Sequence, residues 1–313
     1  MIALADGGFG GGGALVGALA REVDERLAGR GGSGVVLGTT VHTIATPCRC
    51  SSTDDALCGC RGAMRVSATT RDGAAVAYTA RHVILAVPVP LYCGAGHGAL
   101  ASAAIDLRPP LLPARAAVAA RVHMGAYTKV VLVFAAPPLP PTTRYMVALL
   151  PSAGAPTRPT FDLVENHAAV RGPAYPVLVG VLHGADAADA TAAGLDDAAY
   201  TDALLAQLRA AAAAAGWPPI PDPSATTVTH WEADPRAACG AYAHFAAADD
   251  DDDDDGDAAA ALTEPVVCPV TGAALHFAGD GTELEWMGSL HAAALSGRRV
   301  AAAVLRDLRR RRK

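Results

Sequence analysis

The sequence predicts an α/β fold of mixed (α+β) character, on three observations. Short apolar runs bounded by turn residues recur along the chain and read as strands. Amphipathic, small-residue stretches lie between them, so strand-like and helix-like segments interleave. No fixed-period repeat is present, and 313 residues are enough for one large domain or two ordinary ones.

In chain order, Ala14 to Gly29 has helical periodicity, with Leu15, Leu19, Val23 and Leu27 on one face and glycines at both ends. Gly34 to Ile44 reads as a strand, and Thr46 to Gly62 as a Cys/Ser-rich surface insertion. A hairpin-like pair with its turn at Asp72-Gly73 precedes the buried strand "HVILAVP". "YTKVVLVF" is a second buried strand, followed by proline-rich loops at 137–141 and 151–159. Tyr175 to Gly184 is a further strand, and the stretch from Leu195 to Gly216 is a helix with an Asp-rich first turn. "ATTVTHW" carries a strand, the Asp run after it is a low-complexity loop, and "ALHFAGD" leads into a closing helix from Gly288 onward.

Composition excludes several classes. Apolar residues make up 51%, largely alanine, and aromatics 5%. The formal net charge is −6, of which Asp249 to Asp255 contribute −7, so the remainder is near neutral and no nucleic-acid partner is implied. No stretch resembles a signal peptide or a membrane span, and the expectation is a soluble intracellular protein, cytoplasmic or nuclear. Seven cysteines are then thiols rather than disulfides.

Three motifs carry little. Gly8 to Gly13 match G-x-G-x-x-G ahead of a helix, but the strand after that helix runs into His42 and Thr43 rather than an acid, so a flexible glycine run fits equally well. Cys48, Cys50, Cys58 and Cys60 form C-x-C-x7-C-x-C, which could bind zinc or be a plain insertion loop. The terminal "RRRRK" suits a negative helix end, a nuclear address or a phosphate-binding tail.

Other residues carry more chemistry. Asp280 is a carboxylate where a strand stops, able to accept hydrogen bonds from hydroxyls or to serve as a loop or capping acid. The helix starting near Gly288-Ser289 points unpaired N–H groups and its positive dipole end outward. Lys129 stands alone in an otherwise apolar strand, which is costly unless it finds a partner or reaches solvent. Trp231 and Tyr242 flank "EADPRAACGA", either as cavity walls or as ordinary packing.

Five segments in order resemble the C-terminal two-thirds of the flavin-containing amine oxidases, the family of monoamine oxidases, polyamine oxidases and lysine-specific histone demethylases. They are "GALVGALAREV" with "TTVHTI", "DGAAVAYTARHVILAVPVPLY", "MGAYTKVVLVF", "TVTHWEADPRAACGAYAHF" and "LHFAGDGTELEWMGSLHAAALSGRRVAAAVL". The resemblance implies an incomplete FAD-binding Rossmann-like domain over 1–125 and 262–313, interleaved with a mixed-sheet-plus-helices substrate domain over 126–261. The Cys-rich insertion would occupy 46–62 and the acidic loop 246–261. The family's opening βαβ unit with G-x-G-x-x-G and the following R-x-G-G has no counterpart. The expectation is therefore a truncated gene model, a fragment or a degenerate paralogue.

The resemblance further implies FAD contacts at Val41, Val87, Pro88, Gly279, Asp280, Gly288, Ser289 and Leu290. Amides near Ser289 and Leu290 would stabilise negative charge on the reduced flavin. Lys129 would be the catalytic lysine that holds a water against flavin N5. Trp231, Tyr242 and Ser289 would line the substrate cavity, with Tyr242 one face of an aromatic cage. Ser289 stands where monoamine oxidases place a second cage tyrosine, which implies a wider cavity, as in polyamine oxidases or demethylases. Ala241 stands where monoamine oxidases attach FAD through cysteine, and Cys239 is offset by two, so FAD would be noncovalent. The implied partners are an amine or polyamine and O2. The alternatives are another FAD oxidoreductase of the same fold, of desaturase or protoporphyrinogen oxidase type, or a non-catalytic remnant.

Overall fold

A computed structural model describes residues 2–3, 9–10, 12–27, 34–45, 63–93, 98–149, 159–235, 238, 240–246, 255–268 and 271–311. β1 (Ile2–Ala3) pairs antiparallel with β2 (Phe9–Gly10), and α1 (Gly12–Leu27) follows. Helical periodicity thus located α1, but its expected apolar face is open, with Leu19 and Val23 about half exposed. Periodicity reports a helix whether or not another element covers the stripe.

β3 (Thr39–Ala45), β4 (Met64–Thr70) and β5 (Ala75–Ala80) form consecutive antiparallel pairs, with the β4–β5 turn at Asp72-Gly73 as predicted. The Thr70 hydroxyl donates to the Asp72 carboxylate there and holds its pKa below the usual range. β6 (His82–Leu85) comes next, and β7 (Asp106–Arg108) joins β3 in parallel. α2 (Pro113–Ala120) opens with proline in its first turn and leads into β8 (Val122–Met124).

β9 (Tyr127–Val133) is the second strand of a five-stranded antiparallel sheet of order β10-β11-β12-β9-β13, counted from its β13 edge. Its other members are β10 (Met146–Ala148), β11 (Leu163–Asn166), β12 (Val177–His183) and β13 (Ala225–Val228). The short helix α3 (Ala168–Arg171), α4 (Gly184–Ala192) and α5 (Asp197–Ala214) complete this half. Asp196 caps α5 by accepting from the Ala199 amide at 2.8 Å. α5 packs Tyr200, Leu204, Leu205 and Leu208 on the sheet, and Gly180 of β12 leaves the space that Leu204 fills. Each fully buried leucine here contributes roughly 1.5–3 kcal/mol.

The last elements are β14 (Ala243–Phe245), α6 (Asp255–Thr263), β15 (Val266–Val267), β16 (Ala274–Phe277) and α7 (Leu290–Arg310). β14 pairs with β8, and β6 lies parallel to β16 at the edge of a three-stranded sheet. That edge position corrects the reading of "HVILAVP" as a fully buried strand, because Ile84 is about half exposed while Leu85 is buried. A second core joins Ile44, Met64, Leu85, Val122, Ala243, Leu275 and Phe277. Among the described residues, no helix is long and apolar enough to cross a membrane.

Candidate functional site

β6 and β16 run parallel and end together, at Leu85 and Phe277. The chain beyond a set of parallel carboxyl ends is where ligands sit in open α/β sheets. Here it is a turn at Gly279 to Thr282 beside Val87 and Pro88. Gly279 has φ +121°, a backbone that side-chain-bearing residues rarely adopt, and nothing lies nearer its missing Cβ than the Val87 carbonyl at 3.9 Å.

The turn is pinned from several directions. The Gly279 amide donates to Ser296 Oγ of α7 at 2.9 Å, and the Thr282 hydroxyl donates to the Gly279 carbonyl at 2.9 Å. The Arg299 guanidinium reaches the carbonyls of Thr263, Phe277 and Thr282 at 3.3–3.5 Å. Asp280, half-buried, accepts from the Ala243 amide at 3.0 Å through Oδ2 and so ties the turn to β14. One of its oxygens is therefore structural.

Ser289 is the N-cap of α7. Its hydroxyl accepts from the Ala292 amide at 3.1 Å and donates to the Trp286 carbonyl at 2.6 Å. The cap leaves the Leu290 and His291 amides, on the helix's first turn, without intrahelical acceptors. Gly288 precedes the cap with φ +77°, and a Cβ there would lie 2.6 Å from the Ala243 carbonyl and 3.0 Å from the Tyr242 ring. A side chain would have to displace backbone.

Tyr242 thus lies over the start of α7. Its ring also lies against Gly125 and stands edge-on to Tyr127, with centroids 5.6 Å apart. Lys129 Nζ lies 5.7 Å from the centroid of the same Tyr127 ring. Tyr127, Lys129 and Val131 alternate with the buried Thr128, Val130 and Leu132, so they share the sheet face turned away from α5. The backbone of Tyr127 is held by the Glu232 carboxylate, which accepts from its amide. Burial, then the charge of Glu165, then Tyr242, push the Tyr127 phenol above its ordinary pKa, so it is a neutral hydroxyl at working pH.

The structure accordingly brings Lys129, Tyr242, Gly288, Ser289 and Asp280 into one continuous run of contacts. Trp231 sits about half exposed on the turn after β13, and among the described residues the ring partner of Tyr242 is Tyr127. Val41 lies in β3, partly buried against the second core. Cys48, Cys50, Cys58, Cys60 and Cys239 lie outside the described residues, as do Gly8 and Gly11. Among the described residues no group of metal-ligating side chains is assembled. Tyr127 was missed by sequence reading, although it stands two residues before Lys129 and therefore on the same strand face.

A concavity of about 470 Å³ elsewhere, between α5 and β10, is lined by Leu139, Leu149, Leu208 and Trp217. Its one amide, that of Gln207, is spent on both backbone groups of Phe161. It offers apolar space without chemistry.

A profile of flavin containing amine oxidoreductases matches residues 4–305. The chain belongs to that family. Among solved structures it is similar to cyclohexylamine oxidase from Brevibacterium oxydans IH-35A, at 21% identity and TM-score 0.52, covering 86% of this chain and 48% of that one. It is also similar to a putrescine oxidase variant from a redesign of cofactor binding, at 19% identity and TM-score 0.59, covering 92% of this chain and 52% of that one. These likenesses show the fold, and the chain spans about half the length of those two proteins. No curated protein matched.

The residues present fit the flavin end of FAD, the cofactor this family uses. A glycine cradle at the strand ends leaves room at Gly279, a carboxylate stands at Asp280, and α7 offers first-turn amides and its positive dipole end to an anionic ring edge.

Proposed function

We propose that this chain is the flavin-side and substrate-sheet portion of an FAD-dependent amine oxidase, with noncovalently held FAD. The observation that carries the reading is the contact line from the α7 start through Gly288 and Tyr242 to Tyr127 and Lys129. It joins three stretches far apart in sequence, and each supplies a different requirement of amine oxidation. FAD, when bound, supplies the hydride acceptor: the amine loses a C–H hydride, water hydrolyses the imine, and O2 takes the electron pair to give H2O2.

The chain's own residues bind and orient. The second oxygen of Asp280 would accept from a flavin-side hydroxyl, and the Gly279 backbone together with Val87 and Pro88 would form the wall beside it. Amides of the first α7 turn would stabilise the negative charge that gathers on the flavin, without needing to reorganise. The Tyr242 and Tyr127 rings hold the amine carbon chain and favour a cationic or partly charged nitrogen beside their π faces. Lys129 holds a water by its ammonium.

Ser289 places no bulk opposite Tyr242, because its hydroxyl is spent on the helix cap. The lack of a second ring there is what favours polyamine-type or peptidyl-amine substrates over small aryl monoamines. The test is to incubate the purified full chain with FAD, remove free cofactor, and record visible absorption and amine-dependent H2O2. A flavin spectrum with peroxide formed from putrescine or spermidine is expected. A colourless protein that takes up no FAD sinks the enzyme reading for this chain.

A further inference from the structure

β8 and β14 set two imidazoles side by side, and amine oxidation as derived above uses neither. His123 of β8 lies directly opposite His244 of β14, and their rings stack with centroids 5.7 Å apart and an interplanar angle of 29°. Both side chains are exposed, while the preceding residue on each strand, Val122 or Ala243, is buried in the second core. Strand alternation that buries those two presents both rings to solvent on one face.

Register holds the pair from both ends. The Gly125 amide donates to the Tyr242 carbonyl at 2.7 Å on one side, and the Ala246 amide to the Arg121 carbonyl at 2.9 Å on the other. Arg121, the cation flanking β8, is drawn away from the histidines. Its guanidinium lies over the Phe245 ring, 4.3 Å from the centroid, and donates to the Ala246 carbonyl at 3.2 Å. Among the described residues no hydrogen bond or ion pair ties up either imidazole. His82 and His276 differ in this respect, because their facing nitrogens, 3.1 Å apart, are spent on each other.

We propose that His123 and His244 form a two-histidine site for a transition-metal dication of the Cu2+, Ni2+ or Zn2+ class. Imidazole is a ligand that these ions favour, whereas Mg2+ takes oxygen ligands. Metal–nitrogen bonds of about 2.0–2.1 Å put two imidazoles that share one ion at centroid separations of roughly 5–6 Å. The observed spacing meets this once the rings swing edge-on, a movement of side-chain torsions alone. Among the described residues no third ligand joins the pair, so water fills the remaining positions. An ion held there ties β8 to β14 one same-face step, roughly 7 Å, from Gly125 and Tyr242. It thereby clamps the strand that carries Tyr242. The site stands whether or not the chain oxidises amines.

The test uses the full chain without a polyhistidine tag, its thiols alkylated so that cysteines do not compete. Electron paramagnetic resonance with less than one equivalent of Cu2+ should show two equatorial imidazole nitrogens in wild type. That measurement needs no variant to fold. Calorimetric titration with Ni2+ should show at least about tenfold weaker binding, about 1.4 kcal/mol, in His123→Ala and in His244→Ala. The two losses should be alike, and the double variant should lose little more, because one ion needs both rings. His183→Ala, on a different sheet, should bind Ni2+ as wild type does, and Mg2+ should give no binding heat. Fewer than two imidazole nitrogens in wild type, a loss at only one of the two histidines, or unchanged Ni2+ affinity in the double variant would overturn the proposal.

Discussion

Tyr242 stands edge-on to Tyr127, with ring centroids 5.6 Å apart and an interplanar angle of 66°. That contact is where the strand carrying Lys129 meets the loop that covers the start of α7. T-shaped pairs of this kind contribute about 0.5–1.5 kcal/mol beyond the area they bury. A double-mutant cycle with Tyr127→Leu and Tyr242→Leu, followed by urea unfolding, should return a coupling energy in that range. A coupling near zero would mean that the two rings are neighbours without mutual support.

Gly288→Ala is expected to destabilise by about 1–3 kcal/mol, since it combines a positive φ with a Cβ driven into the Ala243 carbonyl. Gly297→Ala, with open space around its missing Cβ, is the control. In a helix it should be neutral or stabilise by roughly 0.4–1 kcal/mol. Similar losses at both positions in chemical denaturation would contradict the close approach at Gly288.

Two substitutions separate the structural role of Asp280 from the cofactor role proposed for it. Asp280→Asn keeps an acceptor for the Ala243 amide, so stability should hold while FAD affinity falls about tenfold, or about 1.4 kcal/mol. Asp280→Ala removes both and should also cost about 1–3 kcal/mol of stability by orphaning that amide. Melting curves and flavin fluorescence titration on the same samples report the two effects independently.

Lys129→Met retains the apolar stem and removes the ammonium. Peroxide formation per bound flavin should fall by at least tenfold, about 1.4 kcal/mol, with little change in the amount of flavin bound. Unchanged turnover would remove Lys129 from the site.

His276 gives a pH dependence whose sign follows from its environment. Its ring is held below the ordinary histidine pKa, first by burial and then by His82 3.1 Å away, with Arg299 adding to this and Asp307 opposing it. Above about pH 6.5 the ring is neutral in folded and unfolded chains alike, and its full contribution is present. As pH falls below that value the unfolded chain takes the proton first, so stability declines until the lower, folded pKa is passed. Asp307, whose carboxylate is lowered mainly by its hydrogen bond from Arg311, loses its contribution in a separate and more acid window. Melting temperatures between pH 7.5 and 5 should therefore drop in wild type and drop less in His276→Asn. A slope unchanged by the substitution would place the acid sensitivity elsewhere.

Much of this was legible in the residues. Alternating and helical periods located β4, β5, β9, β12, α5 and α7, and the turn at Asp72-Gly73 fell where the dipeptide put it. Ordered segment likeness pointed to the flavin-containing family. β10 and β11 went unread, because strands of three or four residues beside proline-rich stretches carry too little periodicity to register. Glu165 was lost with them.

The sequence by itself determined which residues must be somewhere in particular: a glycine where φ is positive, a serine able to cap α7, and a lone lysine in an apolar strand. Those are local demands, set by backbone sterics, orphan amides and the cost of burying charge. Only the tertiary structure decided what each of them faces. Strand register across β9, β12 and β11 put Glu165 on the face of Lys129, and the close approach of β14 to Gly288 put Tyr242 against Tyr127. Contacts between residues a hundred positions apart are fixed by pairing and packing, which no local pattern encodes.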